Sequence, residues 1–279
     1  MAGDWTHPEI AELVRRALAE DIGAGDLTSE ATIDADRVAH GRFFARQEMV
    51  LAGVELLPLI YGSQGGCGAL KLAKASGDRC HDGEVVAEVR GLARTLLCCE
   101  RVALNFMQRL SGVATLASRY VAETSGTKCR VLDTRKTTPG LRRVEKLAAA
   151  AGGVTNHRLG LFDAILIKNN HITACGSVTE AVRRALATGR EVECEVRTRA
   201  ELEEALAAGA KRLLLDNLTP VEAREWIAHI GGRATVELSG GITIETVRAY
   251  AEAGADFVSS GAITHSAVAV DLNFRIEFA

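Results

Sequence analysis

From residue 129 onward, short apolar runs alternate with amphipathic ones. The apolar runs at 129–132, 164–167, 191–196, 212–215, 235–238 and 257–259 predict strands buried on both faces. The segments 141–151, 178–188, 200–208, 220–230 and 244–253 carry helical periodicity. Gly189, Gly209, Gly231 and Gly254 stand where the last four of these helices should stop. Strand and helix in strict alternation imply a parallel sheet.

The first part of the chain has a different texture. Ile10, Leu13, Val14, Ala17 and Leu18 give residues 8–20 one apolar helical face, with Pro8 suited to the first turn. Residues 41–45, 70–73 and 85–89 read as short strands between Gly-rich turns. The turn at 77–83 resembles those of small domains that carry biotin or lipoate, but it presents no lysine at a hairpin tip and reads as structural. Residues 93–110 form a strongly apolar helix broken by Arg101. A charge there must reach water, a partner or another surface. At the end of the chain Val270, Leu272, Phe274, Ile276 and Phe278 alternate with polar residues, predicting a half-buried strand that returns to the N-terminal sheet.

The ends of the six later strands are polar in turn: Asp133, Lys168, Glu195, Asp216, Ser239 and Ser260. In a closed or nearly closed barrel they converge on one mouth, whereas an open sheet would spread them along an edge. The barrel is the favoured reading, with six strands visible where a full one has eight. Arg135 and Lys136 follow the first of these strands, ahead of Pro139 and Gly140. Two cations there suit an anion: Arg as a planar fork, Lys as a point charge. His157 and Arg158 precede the second strand. Ser239-Gly240-Gly241 and Ser260-Gly261-Ala262 are small-residue loops of the kind that lets backbone N–H groups approach a phosphate. Lys168 reads as an anion clamp or a Schiff-base nucleophile. Glu195 and Asp216 fit ribose hydroxyls, or Mg²⁺ held mainly through phosphate and water. Glu193 shares a face with Glu195 and points deeper.

A net charge of −3 lacks the basic surplus of a nucleic-acid protein. No apolar run reaches the length of a membrane span, and residues 1–7 lack a signal-peptide pattern. The seven cysteines, without CxxC spacing, read as reduced core thiols of a cytoplasmic protein.

Several long motifs together resemble the quinolinate phosphoribosyltransferase family, the carboxylating nicotinate-nucleotide pyrophosphorylases of NAD biosynthesis. They are Glu20-Asp21-Ile22-Gly23, Glu100-Arg101-Val102-Ala103-Leu104-Asn105, Gln108-Arg109-Leu110-Ser111-Gly112, Asp133-Thr134-Arg135-Lys136-Thr137, Asn156-His157-Arg158, Lys168-Asn169-Asn170-His171 and the two Ser-Gly loops. Asn169 stands where that family usually has an acid. The resemblance implies an incomplete TIM-like α/β barrel, at 113–267, and an N-terminal α/β sandwich-like domain, at 1–112, completed by a strand at 268–279. It implies Arg101, Thr134, Arg135, Lys136, His157, Arg158 and Lys168 around quinolinate. It implies Glu195, Asp216, Ser239, Gly240, Gly241, Ser260, Gly261 and Ala262 around phosphoribosyl pyrophosphate, with Glu195 and Asp216 toward Mg²⁺, directly or through water. Lys136, Lys168, Glu195 and Asp216 are the expected catalytic set. A homodimer, or a higher assembly built on it, would bring Arg101 into the partner's mouth. Three rivals stay open: a barrel aldolase using Lys168, a relative associated with molybdenum transport, and a non-catalytic binder of phosphorylated metabolites.

Overall fold

The computed structural model describes residues 4–278; the first three residues of the N-terminal reading and the last residue of the predicted final strand lie outside them. In chain order the elements are α1 (Pro8–Ile22), α2 (Leu27–Thr32), β1 (Val38–Ala45), β2 (Met49–Val50), α3 (Leu57–Gly62), β3 (Ala69–Leu72), β4 (Arg79–Cys80), β5 (Val85–Leu92) and α4 (Ala93–Glu123). They continue with β6 (Arg130–Leu132), α5 (Arg142–Ala151), β7 (Ile165–Ile167), α6 (Asn169–Cys175), α7 (Val178–Leu186), β8 (Val192–Val196) and α8 (Arg199–Ala207). The last are β9 (Arg212–Asp216), α9 (Pro220–Ile230), β10 (Thr235–Ser239), α10 (Val247–Glu252), β11 (Phe257–Ser259), α11 (Ala262–His265) and β12 (Leu272–Glu277). These residues divide into two compact units. One holds the chain up to Ser118, Thr137–Gly153 and the chain from Thr264; the other holds Arg119–Lys136 and Val154–Ile263.

In the first unit β12, β1, β5 and β3 pair antiparallel in that order. Buried positions alternate along β1, as a sheet with one covered face requires. Phe43 and Phe274 face each other across β1 and β12, ring centroids 4.6 Å apart. A Cβ at Gly41 would lie 2.2 Å from the Phe274 ring, so a side chain at 41 would displace that ring. The period-two segment at the end of the chain therefore completes this sheet through direct pairing.

Helix α4 runs well past the predicted stop at 110, and Ser111 and Gly112 lie inside it. Both are packing residues. The Ser111 hydroxyl accepts the Ala52 N–H at 2.9 Å. A Cβ at Gly112 would lie 2.1 Å from the Val268 carbonyl oxygen, a backbone atom that cannot swing aside. Gly112→Ala should thus destabilise the unit by about 2–3 kcal/mol despite alanine's better helix propensity. The midpoint of urea unfolding reads this, and an unchanged midpoint would remove the close-approach argument. In the same unit the fully buried Glu145 accepts hydrogen bonds from Arg109 Nη2 (2.7 Å) and from the N–H and hydroxyl of Thr138 (2.9 and 2.8 Å). Arg109 also donates to the carbonyls of Thr264 and Ala267 at 2.6 Å. Every arm of this buried pair is occupied, as a buried charge requires.

The second unit is a six-stranded parallel sheet in the order β6-β11-β10-β9-β8-β7. Chain order from β7 to β11, with β6 beyond β11, is the order of a barrel lacking two strands. On the side of β6 away from β11 a single parallel bridge joins Leu132 to Thr155. The strands are short and largely buried: β8 is buried throughout, as are Leu213, Leu214 and Leu215 of β9. Three successive helices start on hydroxyl caps. Ser177, Thr198 and Thr219 accept N–H bonds from Glu180, Glu201 and Glu222, and the last two close capping boxes. Each cap contributes roughly 1 kcal/mol and fixes where the strand-to-helix loop ends. Gly189, Gly209, Gly231 and Gly254 all have positive φ just beyond helices. Helix α6 was not anticipated; its polar start, Asn169-Asn170-His171, carries no apolar period.

Candidate active site

The carboxyl ends of the parallel strands carry the polar set. Pairing aligns Asp216 with Ser239, and Ser259 with Leu132, so these ends share one edge of the sheet. Lys168, directly after β7, reaches Glu195 of β8: Nζ to Oε2 is 2.9 Å. The other Glu195 oxygen accepts from Arg197 Nη2 at 3.0 Å. Glu195 is 4% exposed, and both of its cations are about half exposed. A buried carboxylate therefore lies under two cations that open toward solvent. Arg197 was missed by sequence reading, yet its position two residues past Glu195 places it on the same face.

The cation loop follows β6. Asp133 is fully buried and organises it from beneath. Its two oxygens accept from Asn156 Nδ2 (2.7 Å) and from the His157 N–H (2.8 Å). The Thr134 hydroxyl accepts the Lys136 N–H at 3.0 Å. Arg158 donates to the Ala164 carbonyl at 3.1 Å. Burial, and then the charge of Arg135, loosens the hold of Arg158 on its proton. Two guanidinium groups close enough to feel each other's charge in a partly buried place suit an anion with two oxygens.

His157 faces inward. Its Nδ1 accepts the Arg158 N–H at 2.7 Å, and its Nε2 lies 3.2 Å from Glu193 and 3.5 Å from Glu237. Burial lowers its proton affinity, but the two carboxylates more than offset this and raise it to about 9. The Arg158 N–H already aimed at Nδ1 opposes a second proton there. With Nδ1 taken as an acceptor, the ring is the tautomer whose proton sits on Nε2 and faces the two carboxylates. In this arrangement the ring gives both nitrogens to protein groups.

The two late loops are tied together. The Ser260 hydroxyl donates to the Ile242 carbonyl at 2.7 Å and accepts the Ala262 N–H at 3.3 Å, beside the Tyr120 hydroxyl at 3.4 Å. Gly240 (φ +99°) packs on Asn217, whose own φ of 58° is the one positive value for a non-glycine among the described residues. A Cβ at Gly240 would sit 2.3 Å from Asn217 Oδ1. So much backbone held open by small residues suits a bound phosphate.

Two carboxylate sets bear on a metal. Glu195 has its oxygens on Lys168 and Arg197, while Asp216 accepts from Asn217 Nδ2 at 2.6 Å through Oδ2. These hard oxygen donors fit Mg²⁺ held mainly by phosphate and water. His157, Glu193 and Glu237 place ligand atoms within 4.8 Å of one another. Arg212 already neutralises that trio, with Nε 3.1 Å from Glu193 and Nη2 3.5 Å from Glu237. Arg101 lies in the first unit, exposed on α4, and makes no hydrogen bond or ion pair among the described residues.

An incomplete α/β barrel with clustered cations at one strand edge and paired small-residue loops is the architecture of a site for anionic, phosphorylated small molecules. Comparison with known proteins narrows this. The quinolinate phosphoribosyl transferase C-terminal domain matches residues 113–275, and the N-terminal domain of the same family matches residues 26–111. A probable nicotinate-nucleotide pyrophosphorylase [carboxylating] of Bacillus subtilis is 40% identical over 273 residues, covering 97% of this chain and 94% of its own. The chloroplastic enzyme of that name from Arabidopsis thaliana is 38% identical, covering 98% of this chain and 84% of its own. The solved structure of NadC from Streptococcus pyogenes superposes with a TM-score of 0.94 at 38% identity over 99% of both chains. The chain belongs to the quinolinate phosphoribosyltransferase family.

Proposed function

We propose that quinolinate and phosphoribosyl pyrophosphate bind side by side at this strand edge. The reaction transfers the phosphoribosyl group to the quinolinate nitrogen with decarboxylation, giving nicotinate mononucleotide, pyrophosphate and CO₂ in NAD biosynthesis. One observation carries the reading of the site: Arg135, Lys136, Arg158 and Lys168 stand at the ends of the same sheet as two phosphate-type loops, within a full-length family match. Thr134, Arg135, Lys136 and Arg158 hold the two carboxylates, with Lys168 beside them and His157 beneath. Ser239, Gly240, Gly241, Ser260, Gly261 and Ala262 hold the 5′-phosphate through backbone N–H groups. Glu195 and Asp216 face the ribose.

The ring nitrogen attacks the anomeric carbon as the bond to pyrophosphate breaks. Positive charge builds on the sugar, and buried Glu195 stabilises it. The quaternary nitrogen then draws electrons from the neighbouring carbon as its carboxylate leaves as CO₂, and a proton from solvent fills that carbon. Cations that held this carboxylate too tightly would oppose its loss, so Arg135 and Arg158 act chiefly in orientation. Asp216 would hold Mg²⁺ through water, and the ion would neutralise the departing pyrophosphate.

We further infer a homodimer in which Arg101 completes the partner's quinolinate pocket, which suits an exposed cation beside the buried Val102, Ala103 and Leu104. A cytoplasmic setting suits the seven free thiols. Among the described residues no helix is long and apolar enough to cross a membrane. Supplying quinolinate, phosphoribosyl pyrophosphate and Mg²⁺ should release pyrophosphate and CO₂ in equal amounts. Pyrophosphate without CO₂ would break the second step, and a substrate adduct trapped on Lys168 by borohydride would favour aldolase chemistry instead.

A further inference from the structure

Beneath the strand edge the sheet encloses charges that the reaction does not use. Glu193 of β8 and Glu237 of β10 are 4% and 1% exposed, and Arg212 of β9 lies between their strands. Arg212 bonds both carboxylates and reaches Glu191 at 3.0 Å. Ser259 of β11 also bonds Glu237; burial would raise this carboxyl, but His157 first, then Ser259 and Arg212, hold it below the usual carboxylate range. Such a network is expensive to bury and stabilises little over a well-packed apolar core. What it does hold is an imidazole: the upper side of both carboxylates is occupied by His157 Nε2.

His157 connects this floor to the cation turn. Its N–H is fixed by Asp133, and its Nδ1 takes the N–H of Arg158. Arg158 in turn stands near enough to Arg135 for the two charges to oppose each other. Like charges repel, so an anchor beneath the turn that does not depend on the ligand keeps Arg158 in place beside Arg135. The ring, clamped from below, is that anchor.

We propose that Glu237 and Glu193, braced by Arg212, are positioning residues that act through His157 to hold Arg158 opposite Arg135, and thereby set the affinity for the dicarboxylate. This deepens the assignment of Arg135 and Arg158 to quinolinate and rests on it. Neither glutamate touches a substrate; each acts only through the imidazole.

The test is kinetic, on the intact enzyme. Glu237→Gln keeps the shape and loses the charge. It should raise the quinolinate KM about tenfold while kcat and the phosphoribosyl pyrophosphate KM stay within about twofold. Placed in an Arg158→Ala background the same substitution should add almost nothing, because the residue it positions is gone. An unchanged quinolinate KM in folded Glu237→Gln, an equal rise in both KM values, or a full tenfold effect persisting without Arg158 each overturns the proposal. If Glu237→Gln does not fold, Glu193→Gln takes the same measurements; failure of both to fold makes the network purely structural and also overturns it. Arg158→Ala alone separates the two levels. If it leaves the quinolinate KM untouched, the pocket assignment itself is wrong. If it raises that KM while Glu237→Gln does not, only the positioning role fails.

Discussion

Arg101→Ala should lose about 10²-fold or more in turnover while its unfolding midpoint stays within experimental scatter, the pattern of a residue whose contacts are made outside its own chain. Val102, Ala103 and Leu104 beside it are buried, but Arg101 is exposed and bonds nothing among the described residues. Burial pushes the neighbouring Glu100 up and the Arg101 charge only partly offsets this, so the two do not form a closed ion pair. Removing such a side chain costs the fold little. A shared site makes a sharper demand than loss of activity. Arg101→Ala and Glu195→Gln are each expected to be nearly inactive, but they fail in opposite halves of a composite site. In the proposed homodimer, co-refolding equal amounts would give about half mixed dimers, each with one site carrying neither defect, so activity should return to about a quarter of normal. If Arg101 served its own subunit, every site in the mixture would carry a defect and nothing would return.

The parallel sheet was legible because burial on both faces leaves continuous apolar runs, and because Ser, Thr and Gly mark the helix ends by mechanism. The strand-end residues were legible for the same reason: a polar residue closing an apolar run has few places to point. The full length of α4 was not legible, because the packing of Ser111 and Gly112, on Ala52 and Val268, is made far away in sequence. Arg197 and Arg212 were invisible as functional groups, since a charge next to a strand ordinarily faces water; Arg197 folds back onto Glu195 two residues before it, and the register of β8, β9 and β10 brings Arg212 onto Glu193 and Glu237. Glu237 carried a signal that could have been used, an acid between Val236 and Leu238 in the middle of a strand. His157 was expected at the ligand, and its ring instead faces the floor of the sheet, which no local pattern could convey.

Glu195→Gln should lower kcat by about 10²–10³-fold, with quinolinate binding by equilibrium titration changed little. Glu195 is almost wholly buried, and each of its oxygens already faces a cation, Lys168 or Arg197. At rest these cations offset its charge. In the proposed reaction, the sugar would become positive and the leaving group negative as the bond to pyrophosphate stretches, and the cations would turn toward the pyrophosphate and release the carboxylate to the sugar. Glutamine keeps the size and one acceptor but gives the sugar no anion. It also leaves Lys168 and Arg197 facing each other uncompensated, which adds repulsion where cationic character develops. Both effects act on the transition state more than on bound substrate, and so appear in kcat. Lys168→Met tests the exchange from the other side. With one cation gone Glu195 should still serve the sugar, so its loss should fall mainly on substrate binding, and the double variant should be no worse than Glu195→Gln in kcat. A Glu195→Gln enzyme retaining more than about a tenth of normal kcat would mean that the carboxylate only holds Lys168 in place.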